Sequence, residues 1–296
     1  MPITAQFDYH KPKDVPEAAA LLSRYKGRAQ VLAGGTDLIV WLKTGVKTPE
    51  AVIDVKGIPE LWHLDAQGDA LRVGSRVTFT ELIESELVKK HFPVLWEAGR
   101  TVASCGVRNR ATLAGNICSA IPSLDAAPAL LVHEARVRAR GSAEERSIPM
   151  SEWFIGPKRT ALLGDELVTA VELPIPNKKT GGCYVKLGRY QGEDLAQAGL
   201  AVLIEPGNSY RLAFCAVGPV PARARRIEAL LRGKKLSDPL IAKAQKLVAQ
   251  EISPISDLRA SKEYRLQMAK VMLERGLKTA AARLAGKGPA YGASVL

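Results

Sequence analysis

Two short runs of small residues offer the chemistry most open to reading. The first, Ala33-Gly34-Gly35-Thr36-Asp37-Leu38, follows directly on Leu32. Successive backbone N–H groups at a glycine pair can converge on one anionic oxygen. Glycine allows close approach because it has no side chain and tolerates positive φ. A helix starting at Asp37 would add the positive end of its dipole. Asp37 itself would repel a phosphate, so its carboxylate is expected to turn back onto N–H groups of its own turn. The second run is Thr112-Leu113-Ala114-Gly115-Asn116, another small-residue turn. Thr112 can donate to a phosphate oxygen, and Asn116 can donate or accept. Either run alone reads equally well as a plain turn. Together they suit the two phosphates of a dinucleotide gripped from two sides.

Three further residues are candidates. Ser123 and Asp125 follow Pro122. The acid could accept from ribose or ribityl hydroxyls, or cap a helix over 126–132, or do both. Lys186 lies mid-strand in Tyr184-Val185-Lys186-Leu187-Gly188-Arg189. Alternation alone can leave such a lysine facing solvent. Read for chemistry, its ammonium would meet the N1–C2=O edge of a flavin and stabilise the charge of the reduced ring. The dinucleotide fingerprint of the Rossmann fold is absent, since Gly34-Gly35 lacks the third glycine in register.

The elements that must position these residues are legible in part. Asp14, Glu17 and Pro16 predict a capped helix over 15–25. A strand over 29–32 runs into the first glycine pair, a short helix covers 37–43, and a strand follows over 51–55. Then come a strand at 71–74, a helix from the Thr78/Glu81 capping box to residue 87, and a helical stretch over 94–102. Strands are expected at 135–140 and 166–173. Pro174, Pro176 and the run Asn177 to Gly182 mark a boundary. Beyond it lie strands at 183–187, 200–204 and 210–217, then helices at 222–231, 239–251 and 261–284, a small α+β layer. The tail, 286–296, is expected to be loose.

Composition narrows the class. The 296 residues are 47% hydrophobic and 24% charged, ordinary for a folded protein. The net charge of +12 is spread along the chain and aromatics are 5%, which fits no nucleic-acid module. The four cysteines form no CxxC pair, so no zinc or iron–sulfur site is expected on this chain, and they read as reduced thiols of a cytoplasmic protein. No segment reads as a signal peptide or a membrane span. No G-x-S-x-G or H-E-x-x-H motif occurs, and the histidines are scattered.

The ordered set of motifs resembles the FAD-binding medium subunit of the xanthine dehydrogenase and carbon monoxide dehydrogenase family of molybdenum hydroxylases. The resemblance covers nearly the whole chain. It runs from Phe7-Asp8-Tyr9 through the first glycine loop and Ile53-Asp54-Val55. It is strongest over Val107-Arg108-Asn109-Arg110-Ala111-Thr112-Leu113-Ala114-Gly115-Asn116-Ile117. It continues at Pro122, Asp125, Tyr184-Val185-Lys186 and Arg189, and closes at Pro254, Asp257, Arg259-Ala260-Ser261 and Tyr264-Arg265. The resemblance implies an α+β chain. Two α/β subdomains, about 1–56 and 57–175, would form an FAD-binding domain of the type related to vanillyl-alcohol oxidase. A C-terminal domain over 180–285 would carry a three-stranded antiparallel sheet and helices.

It also implies a site. Leu32, Ala33, Gly34, Gly35, Thr36, Asp37, Leu38, Thr112, Ala114, Gly115 and Asn116 would hold the FAD pyrophosphate. Ser123 and Asp125 would meet the ribityl or adenosine side, Leu167 would line the cofactor, and Lys186 would approach the isoalloxazine. The partners would be a large subunit with a molybdopterin cofactor and a small subunit with two-iron two-sulfur clusters, in a heterotrimer. Electrons would leave to NAD, a quinone, a ferredoxin or oxygen. Ala114 stands where the family has glycine, and its methyl is expected to loosen the phosphate grip. Val102 falls near where eukaryotic members place an aromatic ring against the flavin, so no such stacking is expected, and no cysteine-rich insertion is present. A free-standing flavin oxidase is the alternative, and a non-catalytic anion-binding protein a weaker one.

Overall fold

The computed structural model describes residues 2–190 and 193–296. Its first layer is a three-stranded parallel sheet in which Ala51–Asp54 lies between Asp8–His10 and Ala29–Leu32. The helix Val15–Tyr25 crosses between strands. Asp14 caps it, accepting from Glu17 N at 2.8 Å. A four-residue strand buried on both faces, as Ala51–Asp54 is, needs an unbroken apolar run rather than alternation.

The second layer is a five-stranded antiparallel sheet in the order Leu64–Gln67, Ala70–Gly74, Leu167–Pro174, Arg136–Arg140, Glu145–Pro149. Helices Pro93–Arg100, Leu113–Ser119 and Ala126–Val132 belong to the core beside it. The expected helix from Thr78 to residue 87 is two helices, Phe79–Glu84 and Glu86–His91. Ser85 is extended and caps the second, accepting from Val88 N. The expected turn at Thr112 is the start of the helix Leu113–Ser119, because Thr112 accepts from Gly115 N at 2.9 Å.

The C-terminal sheet has four antiparallel strands rather than three: Gly181–Leu187, Ala198–Glu205, Ser209–Cys215 and the two-residue Ala222–Arg223. That last pair delays the next helix to Arg225–Leu231. Helix Lys262–Leu284 packs on the sheet through Ala269, Met272, Leu273 and Leu277. The opposite face presents Tyr184, Ala201, Leu203 and Ala213 to the core of the second layer. Being covered on both sides, the central strand shows no polar alternation.

The tail is held, not loose. Arg283 donates to the carbonyls of Pro289 and Ala290 and lies over the Tyr291 ring. Gly292 N donates to Glu97 Oε1 at 2.7 Å, and Val295 and Leu296 pack against the C-terminal core. Small residues, read as a sign of freedom, here allow close approach: a Cβ on Gly292 would lie 2.2 Å from the Arg100 guanidinium.

Candidate functional site

The two small-residue runs meet. A Cβ on Gly34 would fall 2.0 Å from the carbonyl oxygen of Arg110, so the first loop lies backbone-on-backbone against the second. Gly34 is therefore required by the protein's own loop packing. The second loop is pinned to the segment before it by Phe79 N to Ala111 O (2.9 Å) and Leu113 N to Val77 O (3.2 Å). Gly35 takes a φ of +77°, a conformation glycine adopts without strain.

Beside this junction lies a cavity of about 290 Å³. Of the residues singled out in the sequence, Ala33, Gly34, Gly35, Thr36, Asp37, Leu38, Thr112, Ala114, Gly115, Asn116 and Leu167 all line it. Its walls add apolar groups that sequence reading missed: Leu22, Val31, Trp41, Val55, Leu162 and Leu163. The far wall is braced by Glu166. Its carboxylate takes a fork from Arg146 at 2.6 and 2.7 Å and the amide of Leu163 at 2.8 Å. Burial pushes the Glu166 carboxyl up, but these donors outweigh it and hold the group below its ordinary value.

Several polar groups of the lining lack protein partners. Among the described residues, the amides of Gly34, Gly35, Thr36 and Asp37 meet no protein acceptor. The side-chain oxygens Ser75 Oγ and Asn116 Oδ1 are buried and without partner, and both residues line the cavity. Buried polar groups are nearly always hydrogen-bonded, so such a cluster marks the place of a ligand. A phosphate at the amides and a planar, largely apolar ring system along the walls suit it, and the residues fit FAD.

Several of the expected residues are placed differently by the fold. Asp37 does not turn onto its own amides: it makes no cap hydrogen bond and its residue lines the cavity. Burial holds its carboxyl above the ordinary value, with the Ser119 hydroxyl acting against that. Ala114 takes a helical conformation and packs into the core, so glycine's freedom is not needed there. Leu32, Ser123, Asp125 and Lys186 do not line the cavity. Leu32 packs instead against the small cluster of Leu38, Leu42 and Val52.

Asp125 and Lys186 are brought together instead, at the seam with the C-terminal sheet. Lys186 Nζ donates to Asp125 Oδ2 at 2.9 Å and to Thr101 O at 2.8 Å, and Tyr184 Oη donates to Asp125 Oδ1 at 2.7 Å. Tyr184 and Lys186 share one face of their strand, two residues apart, which is why both reach the same acid. Burial drives the Asp125 carboxyl upward, and the Lys186 ammonium with the Tyr184 hydroxyl opposes it. Asp125 sits at the N-cap position of Ala126–Val132 but makes no cap bond.

Comparison with known proteins decides the family. The FAD binding domain in molybdopterin dehydrogenase matches residues 5–176, and the CO dehydrogenase flavoprotein C-terminal domain matches residues 183–280. The chain belongs to this family of FAD-binding medium subunits. It is 33% identical over 287 residues to the carbon monoxide dehydrogenase medium chain of Hydrogenophaga pseudoflava, covering 96% of this chain and 100% of that one. It is 30% identical over 285 residues to the xanthine dehydrogenase FAD-binding subunit of Escherichia coli O157:H7, covering 94% and 97%. In structure it superposes with a TM-score of 0.91 on carbon monoxide dehydrogenase from Hydrogenophaga pseudoflava which lacks the Mo-pyranopterin moiety of the molybdenum cofactor. That match is at 33% identity and covers 96% of this chain and 99% of that chain. With quinoline 2-oxidoreductase from Pseudomonas putida 86 the TM-score is 0.88 at 27% identity, covering 97% and 99%. The chain is thus a flavoprotein subunit of the oxidoreductase type found in molybdenum hydroxylases.

Proposed function

We propose that this chain is the electron-transfer subunit of a molybdenum hydroxylase complex. FAD, when bound, supplies reversible two-electron storage, which such a subunit needs between an iron–sulfur partner and an external acceptor. The chain's own residues bind and orient. Gly34–Asp37 and the Ala114 amide would hold the pyrophosphate, Ser75 and Asn116 would meet polar atoms of the cofactor, and Leu167 with its apolar neighbours would exclude water. Support comes chiefly from one observation: amides and two buried side-chain oxygens converge, unpartnered, on one cavity.

The partners in this reading are a large subunit with the molybdopterin cofactor and a small subunit with two-iron two-sulfur clusters, in a cytoplasmic heterotrimer. Domain limits of 1–175 and 180–285 go with it. Among the described residues no group of His, Cys, Asp and Glu could hold a metal, and no helix is long and apolar enough to cross a membrane. The test is native mass spectrometry of the purified assembly with flavin and metal analysis. One FAD per chain, with a large and a small partner, is the expected result. A lone chain with substrate-oxidising activity would favour a free-standing flavin enzyme.

A further inference from the structure

On the other side of the Gly34 and Arg110 contact lies a second cavity, of about 570 Å³, within the usual range for small-molecule sites. Ala33, Gly34 and Thr112 form the wall it shares with the first. That wall is closed where it counts, since the Gly34 backbone rests directly on the Arg110 carbonyl. A dinucleotide seated in the first cavity therefore has no passage through this contact into the second. The remaining lining is of a different character: Lys56, Arg76 and Arg110, with Pro59, Trp62, Thr78, Glu81 and Asn109.

Three details make this a prepared surface. Trp62 is 53% exposed, yet its ring is fixed, because its indole N–H donates to Glu81 Oε1 at 2.8 Å. A large aromatic face open to solvent and held in place is a stacking platform. Glu81, the one acid in the lining, is fully engaged. Its other oxygen takes Thr78 N at 2.8 Å and Thr78 Oγ1 at 2.7 Å. Burial raises its carboxyl and these donors outweigh that, keeping it ionised and satisfied. The cations are less committed. Lys56 pairs with Asp54 at 2.8 Å and Arg76 gives one nitrogen to Ile58 O at 2.7 Å. The Arg110 guanidinium has no hydrogen-bond partner among the described residues.

We propose that this second cavity binds a nucleoside phosphate, with its base on Trp62 and its phosphate between Arg110 and Arg76. An uncommitted guanidinium lining the same cavity as a second one suits a phosphate, and a fixed indole suits a flat base. The shared wall makes the site neighbour to the flavin cleft without being part of it. The inference does not depend on the flavin reading, since it rests on different residues.

The test uses the flavin-loaded protein. ADP and, separately, inorganic phosphate are titrated by calorimetry, with Trp62 fluorescence as a second readout. Saturable binding of one ADP per chain is expected, with the flavin retained and inorganic phosphate weaker. Arg110→Ala, an exposed residue whose loss leaves the fold intact, is expected to weaken ADP about tenfold, as for one charge-assisted hydrogen bond. Trp62→Phe should abolish the fluorescence response and keep part of the affinity. No ADP binding, or affinity unchanged in Arg110→Ala, would overturn the proposal. Release of flavin by ADP would overturn it too, by showing that the cavity belongs to the flavin cleft. Protein purified without any flavin would instead count against the first cavity's assignment alone.

Discussion

The cleft at Gly34 and Thr112 and the seam at Asp125 and Glu97 are both polar and both largely buried, yet they are built oppositely. In the seam nearly every charge has a protein partner. Lys186 and Tyr184 meet Asp125, while Arg283 meets Glu97 Oε1 at 2.9 Å and Gly182 O at 2.8 Å. Tyr184 N adds a further bond to Glu97 at 2.9 Å. In the cleft, four amides and two side-chain oxygens have none. A folding chain satisfies what it buries unless something else will. The paired region is therefore read as structure and the unpaired one as a ligand site. Residue type alone does not separate them, since an acid and a lysine in a cofactor-binding family look functional wherever they fall.

The largest effects are expected at the seam. Arg283→Met would leave Glu97 buried with amide donors only and free the tail. Removing one member of a buried pair costs about 3–5 kcal/mol. Melting on the order of 10 °C lower is expected by calorimetry, and an unchanged melt would remove the tail's role. Lys186→Met is next, at about 3 kcal/mol near neutral pH. Its deficit should shrink on acidification, because a buried Asp125 without its cation takes up a proton more readily folded than unfolded. A lowered flavin potential with no stability loss would instead place Lys186 at the flavin.

A smaller effect comes from His133, buried against Phe92 with Nε2 unpartnered and its pKa pushed down to about 3 by burial and by Arg211. A depressed folded value means the unfolded chain binds the proton more readily, so stability is full above about pH 6.5 and falls as pH drops below it. By pH 5 the loss reaches about 2 kcal/mol. His133→Leu should flatten that slope in urea titrations at several pH values, and an unaltered slope would assign the acid sensitivity elsewhere. Smallest for stability is Ser75→Ala in the cleft, within about 1 kcal/mol in flavin-free protein. Its effect should show in flavin affinity; a large loss of fold stability would mean that Ser75 has a protein partner.

Much of the cleft was legible because its loops are local. Gly34-Gly35 and Thr112 announce themselves within a few residues, and the caps at Asp14 and Thr78 fix nearby helix starts. What was not legible depends on distant pairing. That Gly34 is demanded by Arg110, that Asp125 is taken by Tyr184 and Lys186, and that Gly292 reaches Glu97 are contacts across long stretches of chain. Ser75 carries no motif at all; only its position after the strand Ala70–Gly74 and its unpartnered hydroxyl identify it.

Gly115 offers the most direct measurement. A Cβ there meets only Thr112 Oγ1, at 3.0 Å, so a larger side chain has the cavity to enter and little protein to displace. Flavin absorbance per chain should be compared between the wild type and Gly115→Val, purified alike and checked for equal folding by circular dichroism. The account predicts a folded variant that has lost most of its flavin. A folded variant that keeps a full complement of FAD would contradict it.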